Sequence, residues 1–181
     1  TGDGAAIPVS AVTGGSMISV VDVNAAASVK SVRIVGDAGA NAITGSSGAD
    51  TIIGGGGADQ IAAGAGDDVI IMTVADLKAA VSLKGGEGSD TLVLTSTDNK
   101  TTLVDADLAN VSGFERMALV DGVAYDVTLG SNAGAVFSSG VLVDAAGLKT
   151  ASLRLDARSY GSAITVRGPD GGDVILGSAL G

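Results

Sequence analysis

Acidic side chains recur at a fixed step in this chain of 181 residues. Residues 36–71 divide without gaps into GDAGANAIT, GSSGADTII, GGGGADQIA and AGAGDDVII, and the same nine-residue unit returns as GGEGSDTLV at 85–93 and GPDGGDVIL at 168–176. Its sixth position is Asn41, Asp50, Asp59, Asp68, Asp90 and Asp173 in turn, and its eighth is Ile43, Ile52, Ile61, Ile70, Leu92 and Ile175. Glycine stands first and fourth, apart from Ala63 at one first position. Carboxylates are hard oxygen donors, and glycine leaves turn carbonyls accessible, so the pattern suits a cation that takes about six to eight oxygens, calcium. The candidate metal residues are Asn41, Asp50, Asp59, Asp68, Asp90 and Asp173, with the first-position residues Gly45, Gly54 and Gly85.

Such a site needs elements that bring distant units together. A glycine-rich hexapeptide folds into a tight turn, since glycine adopts positive φ and admits close neighbours without Cβ strain. The next three residues, apolar in the middle, form a minimal strand with one side chain pointing inward. Two units return the chain to its starting point, so eighteen residues make one coil of a parallel β-helix and 36–71 supply two coils. Turns of successive coils then lie over one another, which pairs Asn41 with Asp59 on one edge and Asp50 with Asp68 on the other. Carboxylates so placed repel until a cation neutralises them. The amide of Asn41 weakens its site, Ala63 lacks glycine's freedom in the fourth turn, and Asp67 faces solvent. Asp90 and Asp173 each lack an in-register unit two repeats away.

The remaining segments read as further coils. In residues 72–84, MTVADLKAAVSLK, Thr73 and Asp76 resemble a capping box ahead of good helix formers, so a short helix is expected at about 73–81, with an irregular loop as the alternative. Short apolar runs at Ile18–Val23, Val29–Val35, Met117–Val120, Tyr125–Leu129, Val141–Val143, Leu153–Leu155 and Ile164–Val166 have the spacing of strands joined by turns. The expected fold is all-β, a right-handed parallel β-helix with a calcium-binding β-roll at its centre. Its parts are lead-in strands over 1–35, the roll over 36–93 with an insertion at 72–84, coils without the calcium motif over 94–167, and a restart of the repeat over 168–181. Phe114 and Tyr125 are core or cap residues in this scheme.

Composition removes most other chemistries. The chain has no histidine, cysteine or tryptophan, so it holds no zinc or haem site built on them, no Ser/His/Asp or Cys/His unit and no disulfide. The formal net charge is −10, from 18 Asp and 2 Glu against ten Lys and Arg, and with two Phe and two Tyr there is neither a basic footprint nor a stacking platform for nucleic acid. At 46% apolar the chain has enough Val, Ile, Leu and Ala to bury a core. The longest uncharged stretch, 4–21, is broken by Pro8, Gly14 and Gly15, which argues against membrane insertion. The opening Thr1 and the ending within the repeat pattern suggest a fragment of a longer protein, with a processed mature chain as the alternative. No dinucleotide or P-loop glycine motif is present. A carboxylate pair such as Asp67 and Asp68 is accounted for by the repeat, so no catalysis is expected.

The nonapeptide blocks resemble the G-G-x-G-x-D-x-U-x repeat of RTX (repeats-in-toxin) proteins. That resemblance implies a calcium-bound parallel β-roll, export of an unfolded chain by a type I system, and folding outside the cell. Segments such as DDVIIMTVADL, NVSGFERMALVDG and LRLDARSYGSAITVRG are also similar to linking pieces between RTX blocks in large surface proteins of Gram-negative bacteria, including surface-layer proteins. The expected role is a structural calcium-binding segment of a secreted cell-surface protein that folds and self-assembles on calcium. Its expected partners are calcium ions, neighbouring copies or the rest of the parent chain, and a cell-surface glycan. Two other roles stay open: an RTX adhesin spacer, and the secretion and folding module of an RTX toxin or secreted hydrolase.

Overall fold

The computed structural model describes residues 22–120, 123–149, 151–168 and 172–177. Of the expected strand at Ile18–Val23, residues 18–21 lie outside them.

Strands, numbered in chain order, stack in parallel into three faces. The first face holds β1 (Asp22–Asn24), β3 (Ala42–Thr44), β5 (Gln60–Ala65), β7 (Ser82–Glu87) and β10 (Val111–Ser112). The second holds β2 (Arg33–Val35), β4 (Thr51–Ile53), β6 (Val69–Thr73), β8 (Thr91–Thr95), β11 (Arg116–Leu119), β13 (Val141–Asp144) and β15 (Ile164–Arg167). The third holds β9 (Lys100–Leu103), β12 (Ala124–Thr128), β14 (Leu153–Asp156) and β16 (Val174–Leu176). The architecture is a parallel all-β roll that widens into a three-sided helix.

The nine-residue period sets the register. Ala42 pairs with Gln60 and Thr51 with Val69, steps of 18 residues (42 to 60, 51 to 69). Because each step is a whole number of repeats, the eighth positions fall in line and form the core. Ile34, Ile52, Ile70, Leu92, Met117 and Val143 stack rung on rung in the second face, and Val23, Ile43, Ile61, Leu83 and Val111 in the first. From Ile34 onward all of these are buried, Ile52, Ile70, Leu83, Leu92, Met117 and Val143 completely. Leu83, Met117 and Val143 thus continue columns that the repeat begins. Phe114 and Tyr125 are core residues, and the Tyr125 hydroxyl donates to Leu94 O at 3.2 Å.

After β6 the coils lengthen. Gln60 pairs with Ser82 (a step of 22) and Leu83 with Val111 (a step of 28). The first enlargement is a helix, α1 (Val74–Ala79), at the expected place. Thr73 caps it, accepting from Asp76 N at 3.1 Å and donating from its hydroxyl to Asp76 Oδ2 at 2.6 Å, while Val74 and Leu77 are buried. A 3₁₀ turn at Asp105–Leu108 packs on α1, and a second helix, α2 (Ser131–Val136), packs on that turn, so short helices form a column beside the sheets. Gly130 offers α2 no capping side chain. The Asp105 carboxylate does so from the preceding coil, accepting from Gly130 N at 2.7 Å, Ala133 N at 2.9 Å and Asn132 N at 3.1 Å.

Two expectations change. The run Val29–Val35 is a strand only at Arg33–Val35, because residues 25–32 form the turn between β1 and β2 and Val29 is exposed. Ile175, at an eighth position, is 41% exposed instead of buried, because β16 pairs only with β14 and no strand lies beyond it among the described residues.

Candidate metal-binding turns

The sixth-position side chains line the two edges where strands of the first and second faces meet. On one edge Asp50 Oδ1 accepts from Val32 N at 2.8 Å, Asp68 Oδ1 from Asp50 N at 2.7 Å, and Asp90 Oδ1 from Asp68 N at 2.8 Å. On the other, Asp59 Oδ1 accepts from Asn41 N at 2.9 Å. The structure therefore brings together the expected neighbours, Asn41 with Asp59 and Asp50 with Asp68. It also corrects the reading of Asp90 as lacking an in-register unit: the 22-residue coil carrying α1 sets Thr91 beside Val69, which places Asp90 on Asp68. Contact between rungs is carboxylate to backbone N–H, which anchors one oxygen of each acid and aims the other.

That second oxygen distinguishes the turns. Asp59, Asp68 and Asp90 are completely buried, and Oδ2 of each has no hydrogen-bond partner. A buried acceptor of this kind is costly, more so when charged. Burial pushes the Asp68 carboxyl up to about 6, against the pull of the Asp50 N–H and helped by the charges of Asp90, Asp50 and Asp67. Burial likewise raises Asp59 and Asp90.

Glycine has two separate roles here. Positive φ falls at the second and fourth positions, at Gly55 (98°) and Gly57 (92°), Gly64 (118°) and Gly66 (113°), and Gly86 (129°) and Gly88 (127°). Ala63 needs no such freedom and sits fully buried in β5, which removes the doubt over the fourth turn. The first position instead requires close approach. A Cβ on Gly45 would stand 2.6 Å from Asp50 Oδ2 and 2.0 Å from Ala63 O, one on Gly54 2.9 Å from Asp59 Oδ2, and one on Gly85 2.6 Å from Asp90 Oδ2 and 1.9 Å from Gly113 O. Asp50, Asp59 and Asp90 each fold back over the first residue of their own turn.

Asp173 stands apart. Its Oδ1 accepts from Leu153 N at 2.9 Å, at the third face, so the structure does not join it to the other acids. Glu115 is the acid that the repeat pattern misses: its Oε2 accepts from Asp90 N at 2.7 Å and ends the ladder. It lies only two residues after Gly113, where the repeat has five, so no fixed period marks it. Asp67 is exposed as expected, with Oδ1 accepting from Ser89 N at 2.9 Å.

The donors fit a hard divalent cation. Buried carboxylate oxygens stand without partners beside glycines that keep backbone open to approach, and no thiol or imidazole competes. Among the described residues no three acidic side chains converge into a site by themselves, so turn carbonyls must complete any coordination.

Such a fold and site define a class, parallel β-rolls with acid-lined turns in register. Within it, residues 35–70 match the model of the RTX calcium-binding nonapeptide repeat in four copies, and the chain carries that repeat. Neither curated proteins nor solved structures gave a match. Among the described residues no helix is long and apolar enough to cross a membrane.

Proposed function

We propose that the chain is a structural, non-catalytic segment of a secreted bacterial cell-surface protein, and that calcium binding at its turns sets the fold. The observation that carries this reading is the trio of buried, unpartnered oxygens on Asp59, Asp68 and Asp90. Calcium there supplies positive charge and a cross-link between rungs. The chain's own residues do the rest: backbone N–H groups hold one carboxylate oxygen of each acid in place, and the stacked aliphatic columns keep the turns in register and dry. Metal binding free energy then becomes folding free energy. Extracellular calcium modules bind at about 10⁻⁴ to 10⁻³ M, which suits a chain that stays loose inside the cell and sets outside it.

Titration with calcium, followed by circular dichroism, tests this. A cooperative gain of β signal is expected, with magnesium a poor substitute because it demands a tighter octahedron. A spectrum of full β content in chelator, unchanged by calcium, would refute it. Self-assembly in the manner of a surface layer extends this reading, on the similarity of segments such as NVSGFERMALVDG to the linking pieces of surface-layer proteins. Electron microscopy with calcium should show ordered arrays; monodisperse rods would instead favour a spacer or an export module.

A further inference from the structure

The repeats differ at their second position, and the sixth-position acid responds to that difference. In 36–44 the second residue is Asp37. Its N–H donates to Asn41 Oδ1 at 2.9 Å, and its Oδ1 accepts from Asn41 Nδ2 at 3.0 Å and from Gly39 N at 2.8 Å. In 45–53 it is Ser46, whose N–H donates to Asp50 Oδ2 at 2.6 Å and whose hydroxyl donates to Asp50 Oδ1 at 2.7 Å. Both turns thus satisfy the sixth side chain internally. In 54–62, 63–71 and 85–93 the second residue is Gly55, Gly64 or Gly86, all at positive φ, and Oδ2 of Asp59, Asp68 and Asp90 is left unpartnered. A second residue outside the positive-φ region closes the turn with its own N–H and side chain, and glycine at positive φ leaves it open.

We infer that calcium is bound by the carboxylates of turns 54–59, 63–68 and 85–90, while turns 36–41 and 45–50 are closed by their own hydrogen bonds and contribute no carboxylate to the ion. The partition rests on the calcium reading above and differs from the run of matched repeats at both ends. It withdraws two of the four copies within 35–70 and adds a turn beyond residue 70, whose rung is continued by Glu115. The reason is competition for lone pairs. An acid already holding hydrogen bonds on both oxygens must break them to ligate, whereas a buried unpartnered oxygen gains on binding.

Calcium binding by the full chain, measured by calorimetry and equilibrium dialysis, tests the partition. Asp59→Asn, Asp68→Asn and Asp90→Asn keep the shape and the Oδ1 acceptor, and each is expected to lower affinity or stoichiometry, with at least a tenfold loss at its site. Asp50→Asn is expected to stay within about twofold of the parent. Ser46→Gly removes the buried hydroxyl that donates to Asp50 Oδ1 and installs the second residue of the open turns, so it is expected to strengthen calcium binding, with circular dichroism of the variant in calcium checking that it folds. A loss in Asp50→Asn equal to that in Asp68→Asn, parental binding in Asp90→Asn, or weakened binding in Ser46→Gly would overturn the partition while leaving calcium binding itself intact. No calcium uptake by the parent chain would instead remove the reading beneath it.

Discussion

Asp68 is held by opposing demands. Its Oδ1 is fixed by a backbone N–H of the rung before it, and its Oδ2 faces protein without a partner. Without metal, the carboxyl is raised to about 6, above the ordinary carboxylate range, so the folded state holds this proton where the unfolded chain has lost it. The sign follows: the contribution to stability is full below the unfolded value and is lost as pH rises through about 6. In chelator the melting temperature should therefore fall between pH 5 and pH 7, and in excess calcium it should rise, since the ion requires the ionised form. Asp68→Asn should reverse in the same way. Removing a buried, unpartnered charge should stabilise the chelated protein by about 1–3 kcal/mol, while the variant in calcium should be less stable than the parent. Thermal melts under both conditions check each expectation, and a variant destabilised in both would show that the carboxylate serves packing alone.

Short elements owe their stability to neighbours more than to themselves. The six-residue helix α1 depends on the Thr73 hydroxyl, and Thr73→Ala should cost about 1 kcal/mol in a denaturant titration. For α2 the group to remove is distant in sequence. Asp105→Ala deletes three charge-assisted bonds to the first turn and should cost more than Thr73→Ala, about 1.5–3 kcal/mol. Equal losses would mean that the helix column does not need its cap from the coil below. This contrast marks what could be read from the residues. Ile43, Ile52, Ile61 and Ile70 were legible as core, and Thr73 as a cap, because each signal is periodic or lies within one turn of its partner. The third face was only partly legible. Runs at β12 and β14 stand out, but β9 carries no run of its own, as is true of the two-residue β10 in the first face, and coil steps of 24 (Lys100 to Ala124) and 28 (Tyr125 to Leu153) leave no period to find. The roles of Asp105 and Glu115 were hidden for the same reason: each acts on groups 25 residues or more away, across a coil of irregular length.

At the level of the whole chain, a formal charge of −10 acts against a slender core. Ladders such as Lys100–Asp126–Arg154 on the third face and Arg116–Asp144–Arg167 on the second, the latter centred on the buried Asp144, distribute some of this charge, although the exposed pairs among them contribute little each. Raising monovalent salt in chelator should partly restore compactness, visible as a smaller radius in X-ray scattering, without reproducing the effect of millimolar calcium; full compaction by salt alone would reduce the ion to a general screen. The widening of the coils bears on mechanics as well. Strands joined only to the rungs before and after them come away one rung at a time when a rod of this kind is stretched between its ends. The lengths released are written into the register: a coil of 18 residues pays out about 6 nm and one of 28 about 10 nm. Tension on a single molecule should thus produce a staircase with unequal treads, short for the first repeats and long for the later coils, in which chelation lowers the force of the treads that release turns 54–59, 63–68 and 85–90.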